Sequence, residues 1–172
     1  PEEQARLLDV LSWWPFRQSA VFVKFALLTG LRRGEIMRLR WYDIDEDRNL
    51  VTLQNPKGGK STTVPVAREA IETLRELPRE SEWVFPGKDG GPRTDFKGPW
   101  LRIKRQAKLP KEFRFHDLRH NFASALVSQG VPLEVVSRLL THKSLSVTQR
   151  YAHLRPDVLR DAANIAGKLL TN

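Results

Sequence analysis

The sequence carries side chains of the types needed to break a phosphodiester bond without a metal, on separate segments: Arg32 or its neighbour Arg33, Lys57 or Lys60, His116, Arg119, His142 and Tyr151. A tyrosine hydroxyl has pKa ~10, so only about one in a thousand is phenolate at pH 7, a deficit of roughly 4 kcal/mol. Neighbouring cations or a base must reduce that deficit. Attack on a phosphate diester adds negative charge to the non-bridging oxygens, and planar guanidinium forks match that geometry. The departing sugar alkoxide is a strong base and needs a proton as it leaves. Residue types alone do not choose between Arg32 and Arg33, or between Lys57 and Lys60, and an ordinary surface role competes for each.

Four other patterns fail on spacing or remain as rivals. Asp43, Asp45, Asp47 and Asn49 alternate like a calcium loop, but Arg48 stands where glycine is required and Gln54 where a bidentate glutamate is required. Gly59-Lys60-Ser61 resembles the end of a phosphate-binding loop, yet the first glycine of that pattern falls on Gln54 and a β-type run follows. His116 and His120 sit four apart, but Asp117 stands where a zinc-protease helix carries glutamate, and a structural role suits His120 better. The stretch 116–129, Gly130 and 132–141 reads like a helix-turn-helix, which makes a non-catalytic DNA-binding module the main alternative.

The elements that must position these groups are mostly helical. Apolar spacing predicts helices over 1–12 and 16–29, with Gly30 at the end of the second, and a helical turn from Arg33 to Arg40. Trp41 to Asp45 reads as extended, with Tyr42 packed in the core or at its rim. The β-type runs Leu50–Gln54 and Thr62–Val66 flank the turn-rich Asn55–Lys60, predicting a hairpin with lysines at or near its tip. Further helices are expected over 67–77, 95–108, 116–129, 132–141, 144–151 and 156–170. The order implies one mostly helical α+β domain with a small antiparallel sheet.

Charge points to a polyanion. The 172 residues carry 29 Lys+Arg against 20 Asp+Glu, a net +9, and all of the excess falls after residue 50. Between Arg93 and Arg119 nine basic residues meet three acidic ones. Apolar runs reach about four residues, as from Phe25 to Leu28, far short of the ~20 that span a bilayer. With no cysteine, disulfides, thiolate zinc sites and cysteine nucleophiles are excluded. A cytoplasmic protein without membrane association is expected.

Thr29-Gly30-Leu31-Arg32-Arg33-Gly34-Glu35, then Lys57 before Val64-Pro65, then His116-Asp117-Leu118-Arg119-His120, then Leu139-Leu140-Thr141-His142 leading to Tyr151, stand in the order and at the approximate separations of one family. In these segments the chain resembles the catalytic domain of the tyrosine recombinases, the phage integrase family, over almost its whole length. The resemblance selects Arg32, which follows Thr-Gly-Leu directly, and Lys57, by alignment of the hairpin on Val64-Pro65. It implies Tyr151 as nucleophile, Arg32 and Arg119 as phosphate clamps and Lys57 as general acid. It also implies His116 as a second acid/base group, His142 as a hydrogen-bond donor to the phosphate, and Glu35 as the residue that holds Arg32. Thr141 departs from the family's usual glycine.

The implied activity is site-specific DNA cleavage and rejoining through a 3′-phosphotyrosyl link, with no cofactor, nucleotide or metal, by four protomers on two duplexes. A nicking-closing topoisomerase using the same tyrosine chemistry is the other enzymatic reading. Pro1-Glu2-Glu3 falls about where the family's catalytic domain begins, so residues 1–172 are expected to be that domain, without the N-terminal DNA-binding domain. The apolar stripe Val158, Ala162, Ile165, Leu169 could dock on a neighbour or cover its own core.

Overall fold

A computed structural model describes residues 2–54, 60–140 and 156–171. Its centre is a helix that is apolar on nearly every side. In α2 (Arg17–Thr29) Ser19 to Val23 and Phe25 to Thr29 are all buried, because α1 (Glu2–Trp13), α4 (Arg68–Leu74), α5 (Lys97–Gln106), α6 (Asp117–Ser128) and α8 (Pro156–Thr171) pack around it. The short α3 (Arg33–Met37) and α7 (Leu133–Leu139) complete the helices described. An aromatic cluster binds the middle together: Phe22 stacks on Phe96 at 3.9 Å between centroids and meets Phe85 edge-on at 4.9 Å. Each of these rings is fully buried, a contribution of about 1.5–3 kcal/mol apiece.

The sheet has three antiparallel strands in the order β1 (Ile44–Asp45), β2 (Leu50–Leu53), β3 (Thr62–Pro65). Its register pairs Val51 with Val64 and Leu53 with Thr62, so Val51, Leu53 and Val64 face the core while Thr52 and Thr63 share a hydroxyl hydrogen bond of 3.0 Å outside. Strands β2 and β3 are the paired runs expected from the sequence. The intervening residues 55–59, which include Lys57, lie outside the described residues, as do residues 141–155 with the expected helix 144–151.

One local expectation fails. Trp41–Asp43 forms a 3-10 turn instead of extended chain, with only Ile44 and Asp45 in a strand. The cause is Asp43, which is buried: its carboxylate accepts the Arg40 N–H at 3.1 Å and the Gln54 side-chain amide at 2.8 Å, closing the turn and tying it to the end of β2. Tyr42 is consequently turned outward, 68% exposed and not in the core, with the Arg40 guanidinium 5.6 Å from its ring. Asp45 likewise accepts the Arg48 N–H at 3.0 Å, so the alternating aspartates serve turns.

Helix α8 covers this chain's own core, burying Leu159, Ala162, Ala163, Ala166 and Leu170, with Val158, Ile165 and Leu169 half-buried beside them. It lies so close to the start of α4 that a Cβ on Gly167 would come within 2.5 Å of the Ala67 Cβ.

Candidate functional site

The site is assembled where α2 ends. Gly30 adopts φ +64°, the left-handed conformation that stops a helix, and its N–H donates to the Ala26 carbonyl at 2.9 Å. Thr29 stiffens the exit: its hydroxyl donates to the Phe25 carbonyl at 2.8 Å and accepts the Leu31 N–H at 3.3 Å. No larger residue fits at position 30, since an added Cβ would lie 2.6 Å from Phe122 and 2.7 Å from Leu140. The turn leaves the Gly30 carbonyl pointing at Arg119, whose Nη1 donates to it at 2.8 Å; Nη2 donates to the Leu140 carbonyl.

Arg119 is 5% exposed, and among the described residues no carboxylate forms an ion pair with it. Burial, then the positive charge of Arg32, push its pKa down to about 10, with Glu35 acting in the opposite sense. It therefore stays charged at neutral pH, solvated by two carbonyl dipoles. A buried cation held this way keeps its charge for an incoming anion.

Arg32 stands just before α3 with extended backbone. Glu35, in the first turn of α3, accepts both the Arg32 N–H at 2.8 Å and its Nη1 at 3.0 Å, so one carboxylate caps the helix and orients the guanidinium. The side chain remains 38% exposed and lines the same cleft as Arg119. His116, at the entry to α6, is exposed at that cleft, its ring perpendicular to that of His120 at 5.0 Å. Desolvation, then the neighbouring His120 and Arg119, hold its pKa below the usual histidine range. At pH 7 its ring is mainly neutral, able to take a proton.

Thus Arg32, His116 and Arg119 line one cleft of about 380 Å³, whose walls also include Arg33, Gly34 and Arg114, and Glu35 is bonded to Arg32 without lining it. Lys57, His142 and Tyr151 lie outside the described residues, with Thr141. Lys60 is exposed, two residues before β3. His120 is exposed, so the structural role expected for it reduces to its contact with His116. Residue types did not reveal the anchoring carbonyls of Gly30 and Leu140, because a main-chain acceptor has no sequence signature. Arg33 was legible only as the alternative to Arg32, and Arg114 only as part of the basic excess. Among the described residues no three His, Asp or Glu side chains converge as metal ligands, and no helix is long and apolar enough to cross a membrane.

A family model described as the phage integrase family matches residues 2–157. The chain is 34% identical to the integrase of Salmonella phage P22, covering 95% of this chain and 45% of that protein. It is 37% identical to tyrosine recombinase XerC of Xanthomonas campestris pv. campestris strain B100, covering 89% of this chain and 50% of that one. Among solved structures it resembles the integrase from mycobacterium phage Brujita, at TM-score 0.79 and 24% identity over 96% of this chain and 57% of that one. It also resembles the XerH recombinase bound to palindromic difH substrate in a post-cleavage complex, at TM-score 0.71 and 26% identity over 96% of this chain and 52% of that one. The chain spans about half the length of the curated relatives it matches.

Proposed function

Given that the chain belongs to the phage integrase family, we propose that it is the catalytic domain of a site-specific DNA recombinase that cuts and rejoins strands through a tyrosine ester. The observation that carries this reading is Arg119, a buried guanidinium held by main-chain carbonyls beside a second guanidinium, Arg32. Two like charges are costly to hold together unless an anion lies between them, and a phosphodiester matches their fork geometry.

In the proposed reaction the Tyr151 oxygen forms a bond to phosphorus as the bond from phosphorus to the 5′ oxygen breaks. The phenolic proton passes to neutral His116 directly or through water, and Lys57 gives a proton to the departing 5′ oxygen. Arg32, oriented by Glu35, and Arg119 hold the non-bridging oxygens, with His142 donating a further hydrogen bond. The 3′-phosphotyrosyl ester conserves the bond energy, so the 5′-hydroxyl of a partner strand attacks it in the reverse chemistry without a nucleotide. The DNA partner is double-stranded, the assembly four protomers on two duplexes, and the compartment the cytoplasm. Resemblance to the XerH complex with its difH substrate supports the DNA partner.

The test is a duplex nicked next to the cleavage point, so that the released piece diffuses away, incubated with protein in EDTA. The expected product is a protein–DNA adduct that survives denaturant, together with a free 5′-hydroxyl. A 5′-phosphate formed only with added magnesium would instead assign the site to metal-dependent hydrolysis.

A further inference from the structure

The cleft holds more positive charge than one phosphodiester needs. Arg32 and Arg119 suffice to clamp the reacting phosphate, yet Arg33 on the first turn of α3 and Arg114 on the turn leading into α6 line the same depression. Among the described residues no carboxylate lines it. Glu35 is taken up by Arg32. Asp117 and Asp95, the acidic groups adjacent in sequence or charge, accept main-chain N–H groups, from Arg114 at 2.6 Å and Lys97 at 3.0 Å. Asp95 also feels the charge of Arg33, but forms no ion pair with it. Both arginines are exposed, and among the described residues neither is ion-paired.

We propose that Arg33 and Arg114 form a second phosphodiester subsite, which grips a phosphate flanking the one attacked and so sets the register of the strand across the nucleophile. The inference rests on reading the cleft as a DNA-cleavage site. Its physical basis is charge and element placement: each arginine is attached to the same short segment as a clamp residue, Arg33 next to Arg32 and Arg114 five residues before Arg119. A strand seated on Arg32 and Arg119 therefore brings its neighbouring phosphates to these two side chains. Backbone contacts of this kind fix position without reading base sequence.

The test measures binding of Arg33→Gln and Arg114→Gln in a Tyr151→Phe background, so that strands stay intact, on duplexes carrying one neutral methylphosphonate at successive positions. Each variant is expected to bind more weakly and to lower the slope of log affinity against log salt by about 0.9. At one flanking phosphate the methylphosphonate weakens the parent and has no further effect on the variant, and lysine at the same position restores part of the slope. Penalties that multiply at every position, an unchanged slope, or insensitivity at the scissile phosphate itself would each overturn the proposal. Adduct formation by the protein with Tyr151 intact on unmodified DNA reports separately on the cleavage reading.

Discussion

Nη1 of Arg119 donates to the carbonyl of Gly30 across 2.8 Å of space and 89 residues of sequence. This bond joins the exit of α2 to α6, and through them the Arg32 segment to the His116–Arg119 segment. In the proposed reaction the bond also ties stability to activity, because the guanidinium that would hold the phosphate is itself a buried charge.

Replacing Arg119 should therefore lower both, activity far more than stability. Arg119→Met removes a desolvated cation but leaves the buried Gly30 and Leu140 carbonyls without their donor, at about 1–3 kcal/mol each. Loss of one charge-stabilising donor typically costs about 100- to 1,000-fold in rate. The expected outcome is a melting temperature lowered by roughly 5–15 °C, a native fold at assay temperature, and adduct formation reduced by at least ~100-fold, read by thermal denaturation and single-turnover capture.

Gly30→Ala should act the opposite way, through the fold. The substituted residue pays for a left-handed backbone, about 1–2 kcal/mol, and its Cβ collides with Phe122 and Leu140, a further ~1–3 kcal/mol of overpacking. A fall in melting temperature of roughly 5–15 °C is expected. Gly130→Ala is the control, because Gly130 has φ +76° but nothing within 4 Å of the added Cβ; it should show only the backbone part.

The pH dependence follows from His116. Its pKa lies below the ordinary value in the folded protein, so the unfolded chain binds its proton more readily. The stability linked to this group is therefore complete above the unfolded pKa of ~6.5 and is lost as pH falls through the folded value. If neutral His116 accepts the tyrosine proton, cleavage should persist below pH 6.5 and fall only on further acidification. His120→Gln removes one of the charges that depress His116 and should move that acid limb upward, whereas His116→Gln should abolish the limb. A single-turnover pH–rate profile of the three proteins checks this.

The hairpin's two lysines are separable by substrate. Sulfur in place of the 5′ bridging oxygen changes the leaving group from an alkoxide, with a parent acid near pKa ~16, to a thiolate near ~8.5, so protonation becomes almost unnecessary. Lys57→Ala should cleave the oxygen substrate ~100- to 10,000-fold more slowly and the sulfur substrate nearly as fast as the parent. Lys60→Ala should show a milder defect that sulfur does not repair. The reverse pattern would move the acid to Lys60, and no rescue in either would leave His116 as the next candidate.

Legibility in the sequence followed the range of the interactions. The described helices and the β2–β3 pairing could be read because apolar periodicity and the turn-rich 55–60 segment are local, and Gly30 announced the end of α2 by its residue type. The turn at Trp41–Asp43 could not, since it depends on Asp43 reaching Gln54, eleven residues away on another element. The same limit applied at the site. The pairing of Glu35 with Arg32 was available only through the family resemblance, and the burial of Arg119 and its hold on Gly30 and Leu140 exist only after α2, α6 and α7 have packed.

The central claim is that Tyr151 becomes covalently linked to DNA, and mapping that linkage tests it most directly. After capture on the nicked duplex, protease digestion and mass spectrometry should find a nucleotide attached through phosphate to the peptide containing Tyr151. Tyr151→Phe should yield no adduct while retaining salt-dependent DNA binding, and Tyr42→Phe, altered at an exposed ring on the 3-10 turn, should yield the adduct as the parent does. An adduct on any other residue, or one formed undiminished by Tyr151→Phe, would contradict the account.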